Sequence, residues 1–483
     1  MASDTPRDEE ETCEDPLRSS RSEAVRREPH LFLLLHCDHP SRPSWRYGLA
    51  GIAKVRLGRG EATSAHIERS GQSRQVNVAI ADRHISSRHA QLERSGQNFI
   101  LADTGSRNGT WLNGKALDGP TPLQDGDFIG VGHTLLRFRS ALRTSEHTEV
   151  IQSLTTDPAE PGLSTLLPSL AQSFRNLLRI AAGDSAVLIR GETGSGKDLI
   201  AQAVHRRSPR RDRPLVAVNC AAFQESLLQG ELFGHEKGAF TGAITDKPGL
   251  IRSAATGTLF LDEIGDLPLP AQAALLRTLQ TKTVRPLGGT RDIPIDFRLL
   301  SATHRDLQAM IAKERFRADL YARLNAFELV MPPLRKRRED LGIIISHILN
   351  KHGHHNPLSK EAASILLLDD WPLNIRELEQ CLTSACSLAG DGPIESFHLG
   401  DRAPRDDEST APSAAPTEEE LRAALPLGEQ ELQAQLIAQL KEAEGNVAAV
   451  GRNLGKKPPQ IFRWLKRFGI DPDQFRPKPR RGP

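Results

Sequence analysis

No apolar run in this chain approaches the ~20 residues that a membrane-crossing helix needs. The apolar stretches at residues 31–35 and 365–368 are the size of a strand or a piece of core helix. The opening residues, up to about position 30, are charged throughout and hold no apolar stretch, so no secretory signal is expected there. The cysteines, Cys13, Cys37, Cys220, Cys381 and Cys386, include no CxxC pair and no regular spacing. That pattern argues against a disulfide framework or a zinc site and for free thiols in a reducing compartment. Net charge is close to balance at +2, but its distribution is not. From Lys456 onward the chain carries Lys456, Lys457, Arg463, Lys466, Arg467, Arg476, Lys478, Arg480 and Arg481 against Asp471 and Asp473 alone. A basic end on a near-neutral protein points toward nucleic acid.

With 483 residues the chain exceeds one ordinary core and suggests roughly three domains. Residues 1–29 are rich in Arg, Glu, Asp and Ser and read as a disordered arm. Residues 30–140 read as short strands separated by turn signals such as Asn108-Gly109, Asn113-Gly114 and Asp125-Gly126, the spacing of an all-β sandwich. Residues 141–163 read as a linker. From 164 to 398 apolar strands alternate with helical patterns, which predicts an α/β domain. A Pro-, Ala-, Ser- and acid-rich stretch makes 399–428 a second linker, 429–472 is helical again, and 473–483 is a basic tail.

The α/β segment carries the strongest chemistry. The apolar run 186–189 leads into Gly191-Glu192-Thr193-Gly194-Ser195-Gly196-Lys197-Asp198 and then a helical stretch, the strand–loop–helix context of a phosphate-binding loop. The glycines let backbone N–H groups turn onto a polyphosphate, the helix N-terminus adds positive potential, and Lys197 reaches the outer phosphates of ATP. Further on, 258–261 is an apolar strand that ends in Asp262 and Glu263. An acid at a buried strand tip needs a cation or hydrogen bonds. Beside a nucleotide, Asp262 is expected to hold Mg²⁺ and Glu263 to polarise the attacking water. Between these motifs, Gly238-Ala239-Phe240-Thr241-Gly242-Ala243 frames one aromatic ring with small residues and reads as a flexible tip offered to a partner.

That hexapeptide, following a phosphate loop, resembles the signature loop of the bacterial sigma-54-dependent enhancer-binding activators, a group of AAA+ ATPases; the resemblance covers about residues 164–472. It implies an ATPase with a helical lid, a homo-oligomeric ring, hexameric by family likeness, sigma-54 RNA polymerase as partner and a bacterial cytoplasmic setting. It further implies that Asn219 restrains Glu263 and that Arg317 and Arg323 act on the neighbouring subunit's nucleotide. Arg376 would read the γ-phosphate, and residues 301–307 would form a first sensor. Three positions depart from common patterns. Asp198 stands where many phosphate loops carry Ser or Thr, His304 stands where Asn is common, and Leu373 replaces a usual glycine in the turn before Arg376. The cluster His352-Gly353-His354-His355 has the composition of a metal tract but is read as a solvated loop.

At the far end, two short helices joined through Gly455 fit a helix-turn-helix for double-stranded DNA at an enhancer-like site. Lys456, Lys457, Gln460, Arg463, Lys466 and Arg467 supply the polar contacts, and the segment resembles the Fis-type module that ends many of these activators. In the sandwich, Arg59, Ser86 and Asn108 lie in loops and together can grip a phosphate. Their order resembles the forkhead-associated (FHA) domain. The resemblance implies that Arg59 and Ser86 hold a phosphothreonine, Asn108 fixes the peptide backbone, Ser87 and Arg88 add contacts, and His89 braces the loop from inside. The partner expected is a phosphothreonine protein or a Ser/Thr kinase. The competing expectation is a DNA-binding phosphoprotein adaptor with a vestigial ATPase.

Overall fold

The computed structural model describes residues 26–71, 73–144, 151–154, 161–222, 225–239 and 243–402, together with 436–441, 443, 450 and 453. The chain divides into two compact units at Pro404 and Arg405.

In the first unit the front domain is the expected sandwich. Strands β1 (Arg26–His36), β2 (Ser44–Gly48), β3 (Ile52–Arg59), β4 (Ser64–Ser70), β5 (Ser73–Ile80), β6 (Ala90–Ser95), β7 (Asn98–Asp103), β8 (Thr110–Leu112), β9 (Lys115–Ala116), β10 (Thr121–Pro122), β11 (Phe128–Val131), β12 (Thr134–Thr144) and β13 (Ile151–Leu154) form it. One sheet runs β13-β2-β1-β12-β11-β8-β9 and the other β10-β7-β6-β3-β5-β4. Leu31, Leu33, Val55, Leu57, Val76, Val78, Phe99, Leu136 and Phe138 fill the space between them. The linker expected at 141–163 is corrected in part. β12 continues to Thr144 in register with β1, and β13 pairs with β2, so the backbone groups of both segments are satisfied by the sheet.

The sheet of the α/β domain has five parallel strands in the order Leu215–Asn219, Thr258–Asp262, Arg298–Thr303, Val187–Arg190, Phe327–Val330. Both faces are covered by helices, which is why these strands read as continuous apolar runs. The lid follows as helices Leu341–Lys351, Lys360–Leu368 and Asn374–Ala389, closed by the short helix Ser396–Arg402, so residues 399–402 of the expected second linker belong to the lid, and the rest of 399–428 lies outside the described residues.

The front domain is not a separate bead. β1 is buried without interruption from His30 to His36. Leu31 and Leu33 face the sandwich core, while Phe32, Leu34 and Leu35 join Leu341, Ile345, Leu366 and Trp371 of the lid in one apolar cluster. Gly342 is required there, since a Cβ at this position would lie 1.7 Å from the Leu34 carbonyl oxygen. Polar contacts stitch the same seam. Leu358 N–H donates to Cys37 O at 2.8 Å, Ser41 donates to Asn350 at 3.0 Å, and Arg139 pairs with Glu339, which is 1% exposed. Asp340 beside it accepts from the Thr165 hydroxyl and the Leu166 N–H, both at 2.7 Å.

In the second unit residues 436–440 are helical, with Leu436 and Leu440 buried as the apolar periodicity requires. The DNA-contact expectations at Lys456, Lys457, Gln460, Arg463, Lys466 and Arg467 lie outside the described residues.

Candidate active site and phosphopeptide cradle

The phosphate loop leaves strand Val187–Arg190 and enters helix Lys197–Arg206. Gly194 and Gly196 adopt φ of +74° and +94°, conformations that a side chain resists. Lys197 is buried, and its ammonium donates to the carbonyls of Gly191 at 3.1 Å and Glu192 at 3.3 Å. It also lies 3.4 Å from Glu263 Oε1, so cation and acid meet across the loop. Ser195 is fully buried, while Asp198 and Thr193 are exposed.

Asp262 ends its strand, and one of its oxygens accepts the Glu263 N–H at 3.0 Å. Burial, then the adjacent Glu263, raise its carboxyl above the ordinary Asp value. Glu263 sits in a left-handed conformation, φ 52°, which turns its side chain out of the strand direction. Burial alone would raise its carboxyl; the hydrogen bond from His304 and the Lys197 ammonium outweigh that and hold it below the ordinary Glu value. Glu263 Oε2 accepts from the His304 ring Nδ1 at 2.7 Å and from the His304 backbone N–H at 3.1 Å.

Asn219, expected to restrain Glu263, makes a different contact in this structure. Its side-chain oxygen accepts from Ala221 N–H at 2.9 Å, an Asx turn onto the chain just after its own strand. The side chain that holds Glu263 is His304, at the end of strand Arg298–Thr303. The signal was present in the sequence as the unusual histidine, but not its target.

The lid closes on the loop directly. Asn374 Nδ2 donates to Thr193 O at 3.0 Å and to a Glu192 carboxylate oxygen at 3.2 Å, and Ile375 N–H donates to Gly194 O at 2.9 Å. Arg335 grips the same Glu192 carboxylate. A Cβ on Gly194 would lie 2.2 Å from Leu373 O and 3.1 Å from the Arg376 Cβ, so Arg376 stands over the loop. Leu373 itself has φ −97°; the left-handed conformations of the turn fall on Trp371 and Asn374, so the absent glycine costs no strain.

Arg317 precedes helix Ala318–Leu324 and Arg323 lies in its last turn; both are exposed, Arg317 pairing with Asp319 at 2.7 Å. Sequence reasoning missed Gln272. Fully buried, it donates to Leu267 O at 2.7 Å and Arg315 O at 3.2 Å, and its oxygen accepts the Arg317 N–H at 2.9 Å, fixing the backbone that presents that arginine.

The hexapeptide loop is pinched at its base, where Gly238 N–H donates to Ala243 O at 2.9 Å. Ala239 packs so near Gly288 that a Cβ there would lie 2.9 Å away. Phe240, Thr241 and Gly242 lie outside the described residues.

In the sandwich the loops converge as expected. Arg59, Ser87, Arg88 and Asn108 are exposed, and Ser86 is half-buried. Arg59 N–H donates to Ser86 O at 3.0 Å. The Ser86 hydroxyl oxygen accepts from Arg107 N–H at 3.0 Å, which leaves its proton to donate. His89 is fully buried; its Nδ1 accepts from Ser86 N–H at 3.1 Å, so its Nε2 carries the proton given to Gly109 O at 3.1 Å. Asn108 donates to His84 O at 2.8 Å. Asp103 fixes the neighbouring loop. Burial would raise its carboxyl, but hydrogen bonds from Ser106, Thr110 and Gly105 hold it at about 2.

Comparison with known proteins agrees with this geometry. The chain matches the sigma-54 interaction domain over residues 164–330, the FHA domain over 55–132 and an AAA+ ATPase lid domain over 335–416. It is 42% identical over 318 residues to the DNA-binding transcriptional activator HyfR of Escherichia coli (strain K12), covering 62% of this chain but 47% of HyfR. Identity to the transcriptional regulatory protein GlrR of the same organism is 40% over 317 residues, 65% of this chain and 69% of GlrR. For its regulatory protein AtoC the identity is 40% over 329 residues, 66% of this chain and 70% of AtoC. No helix among the described residues is long and apolar enough to cross a membrane. With that identity sustained across more than two thirds of both GlrR and AtoC, the chain belongs to the sigma-54-dependent transcriptional activators, and its motor is an AAA+ ATPase.

Proposed function

We propose that the chain is an ATP-driven activator that remodels the closed promoter complex of sigma-54 RNA polymerase in the bacterial cytoplasm and takes its input from a phosphothreonine partner. The observation that carries this reading is the meeting of Lys197 and Glu263 across a glycine cradle, with Arg317 and Arg323 facing outward from the same motor. ATP lies along the loop, and Lys197 neutralises its outer phosphates. The all-oxygen character of Asp262 suits Mg²⁺, which supplies charge neutralisation on the phosphates. Glu263, kept ionised, polarises and orients the attacking water. Arg376 senses the γ-phosphate from the lid, and Arg317 and Arg323 complete the site of an adjacent subunit. This couples turnover to assembly of a homo-oligomeric ring, a hexamer by family likeness. The Fis-type helix-turn-helix at 429–472 holds enhancer-like double-stranded DNA.

Motion of the pinched loop 238–243 against sigma-54 converts turnover into promoter opening. Thr241→Ala is therefore expected to separate the two: ATP turnover persists while open complexes, followed by permanganate reactivity of the melted promoter, are lost. Retained melting would remove the loop from the mechanism. A purified full chain without any ATP turnover would favour a passive DNA-binding adaptor.

For the front domain, Arg59→Ala is expected to weaken binding of phosphothreonine peptides by about 1.5–3 kcal/mol, the range of a charge-assisted hydrogen bond, and to leave the negligible binding of unphosphorylated peptides unchanged. Isothermal titration with the full chain reads both. Equal binding by wild type and variant would make the sandwich a docking surface only.

A further inference from the structure

Beside the phosphate cradle, three loops of the sandwich bring together a second chemistry. Asp38 follows β1, His84 lies between β5 and β6, and His133 sits in the β11–β12 hairpin. His133 Nδ1 is 2.8 Å from Asp38 Oδ1, and His84 Nε2 is 3.7 Å from Asp38 Oδ2. The two imidazoles stack with centroids 3.7 Å apart and planes 16° from parallel. One ligand atom from each of the three residues lies within 4.8 Å of the others.

The arrangement is built, not incidental. Asp82, 8% exposed, uses one carboxylate oxygen to accept the His84 N–H at 2.8 Å. Its other oxygen accepts the His133 N–H at 2.7 Å and the Thr134 hydroxyl at 2.9 Å. A nearly buried carboxylate, costly to desolvate, thus locks the backbones of two histidines from different loops. Cys37 N–H donates to His133 O at 2.8 Å and draws the Asp38 segment onto the same hairpin. The hairpin turn itself requires Gly132, at φ +56°, because a Cβ there would lie 2.6 Å from Ile85 Cγ1 and 2.8 Å from Asp82 Oδ2. All this order positions side chains that remain about a third exposed, at 30% for His84, 34% for His133 and 33% for Asp38. Asp38 and His133 border an open cleft also lined by His36, His39, Arg42 and Arg83.

We propose that Asp38, His84 and His133 bind one divalent transition-metal ion of the Zn²⁺ class. Two imidazoles and a carboxylate select such an ion over Ca²⁺ or Mg²⁺, which take oxygen ligands. A tetrahedral ion with bonds of about 2.0–2.1 Å sets its donor atoms about 3.3–3.4 Å apart. The separations of 2.8 and 3.7 Å, each to a different Asp38 oxygen, straddle that value, and because an imidazole lone pair lies in its ring plane, binding one ion requires the two rings to turn out of their stack until those planes meet. The His133 Nδ1–H that donates to Asp38 gives way to the ion, and the ring keeps its proton on Nε2 instead. The guanidinium of exposed Arg83, which donates to His84 Nε2 at 3.2 Å, swings into solvent. The ion ties the loop bearing Ser86 to β1 and to the hairpin, next to the carbonyl of His84 that Asn108 uses.

The test titrates Co²⁺ into the metal-stripped full chain without nucleotide, which keeps the motor's cation site out of the measurement. One equivalent is expected to produce tetrahedral ligand-field bands that Zn²⁺ abolishes. His133→Ala and His84→Ala are each expected to weaken binding more than about 100-fold, the upper range for loss of even a supporting residue. Both keep the backbone N–H groups that Asp82 holds, so the scaffold survives, and an unchanged thermal unfolding midpoint of the metal-free variants checks this. The double variant His354→Ala/His355→Ala is expected to bind as wild type. Absence of the bands, or bands that persist in both single variants, overturns the proposal, as does their loss in the His354/His355 variant alone.

Discussion

Glu263→Gln is expected to cut steady-state ATP turnover by about 10²–10⁴-fold, the usual worth of a positioned proton acceptor, while nucleotide still binds. The amide keeps the shape of the side chain but loses the charge that faces Lys197 at 3.4 Å. Turnover within tenfold of wild type would move the role to another residue. The finer test concerns His304. Its ring hydrogen bond is the leading influence holding the Glu263 carboxyl down against burial. His304→Ala removes that influence and leaves the backbone N–H and Lys197, so the carboxyl rises. In wild type the polarising carboxylate stays ionised as pH falls to below the ordinary Glu range; in the variant protonation begins at higher pH. The acid limb of the turnover profile is thus expected to move upward in pH, and an unmoved limb would show that the 2.7 Å contact does not govern Glu263 in the working enzyme.

A second large effect is expected at the seam between sandwich and lid. Arg139→Met leaves the Glu339 carboxylate, 1% exposed, with Arg137 alone at 3.5 Å. Removing one partner of a buried pair costs about 3–5 kcal/mol, and the remaining arginine places this variant near about 3 kcal/mol. Denaturant unfolding of the full chain reads the loss. The triple variant Arg137→Met/Arg139→Met/Glu339→Met is expected to be more stable than the single one, because no charge of this cluster is then stranded at the seam. If the single variant unfolds as wild type does, the seam is not held by this pair.

The sequence disclosed the chemistry carried by short contiguous patterns. Lys197, Asp262 and Glu263 were legible because each sits in a local strand–loop–helix or strand-tip pattern, and Arg59, Ser86, His89 and Asn108 because their order along the loops is itself a pattern. What it hid depends on residues far apart in the chain. His304 and Glu263 meet over 41 positions, and Gln272 reaches Arg317 over 45. Such contacts stay hidden because a side chain's rotamer and its neighbour across a sheet leave no local periodicity. The seam left one trace in the sequence. Residues 31–35 are continuously apolar, whereas a sandwich strand with a solvated face alternates. The second face was covered, and only the lid, hundreds of residues later, supplies the cover.

That cover has a consequence for how the chain is made. Ser41 and Asn350, which hydrogen bond across the seam, are 309 positions apart. At the usual pace of synthesis, about 5–20 residues per second, roughly 15–60 s pass between the appearance of one and the other. For that interval the sheet face bearing Phe32, Leu34 and Leu35 has left the ribosome without its apolar partner. The nascent front domain therefore carries a sticky face that chaperones can read, and ribosome-bound chains halted before residue 341 are expected to retain trigger-type chaperones that chains halted after the lid release.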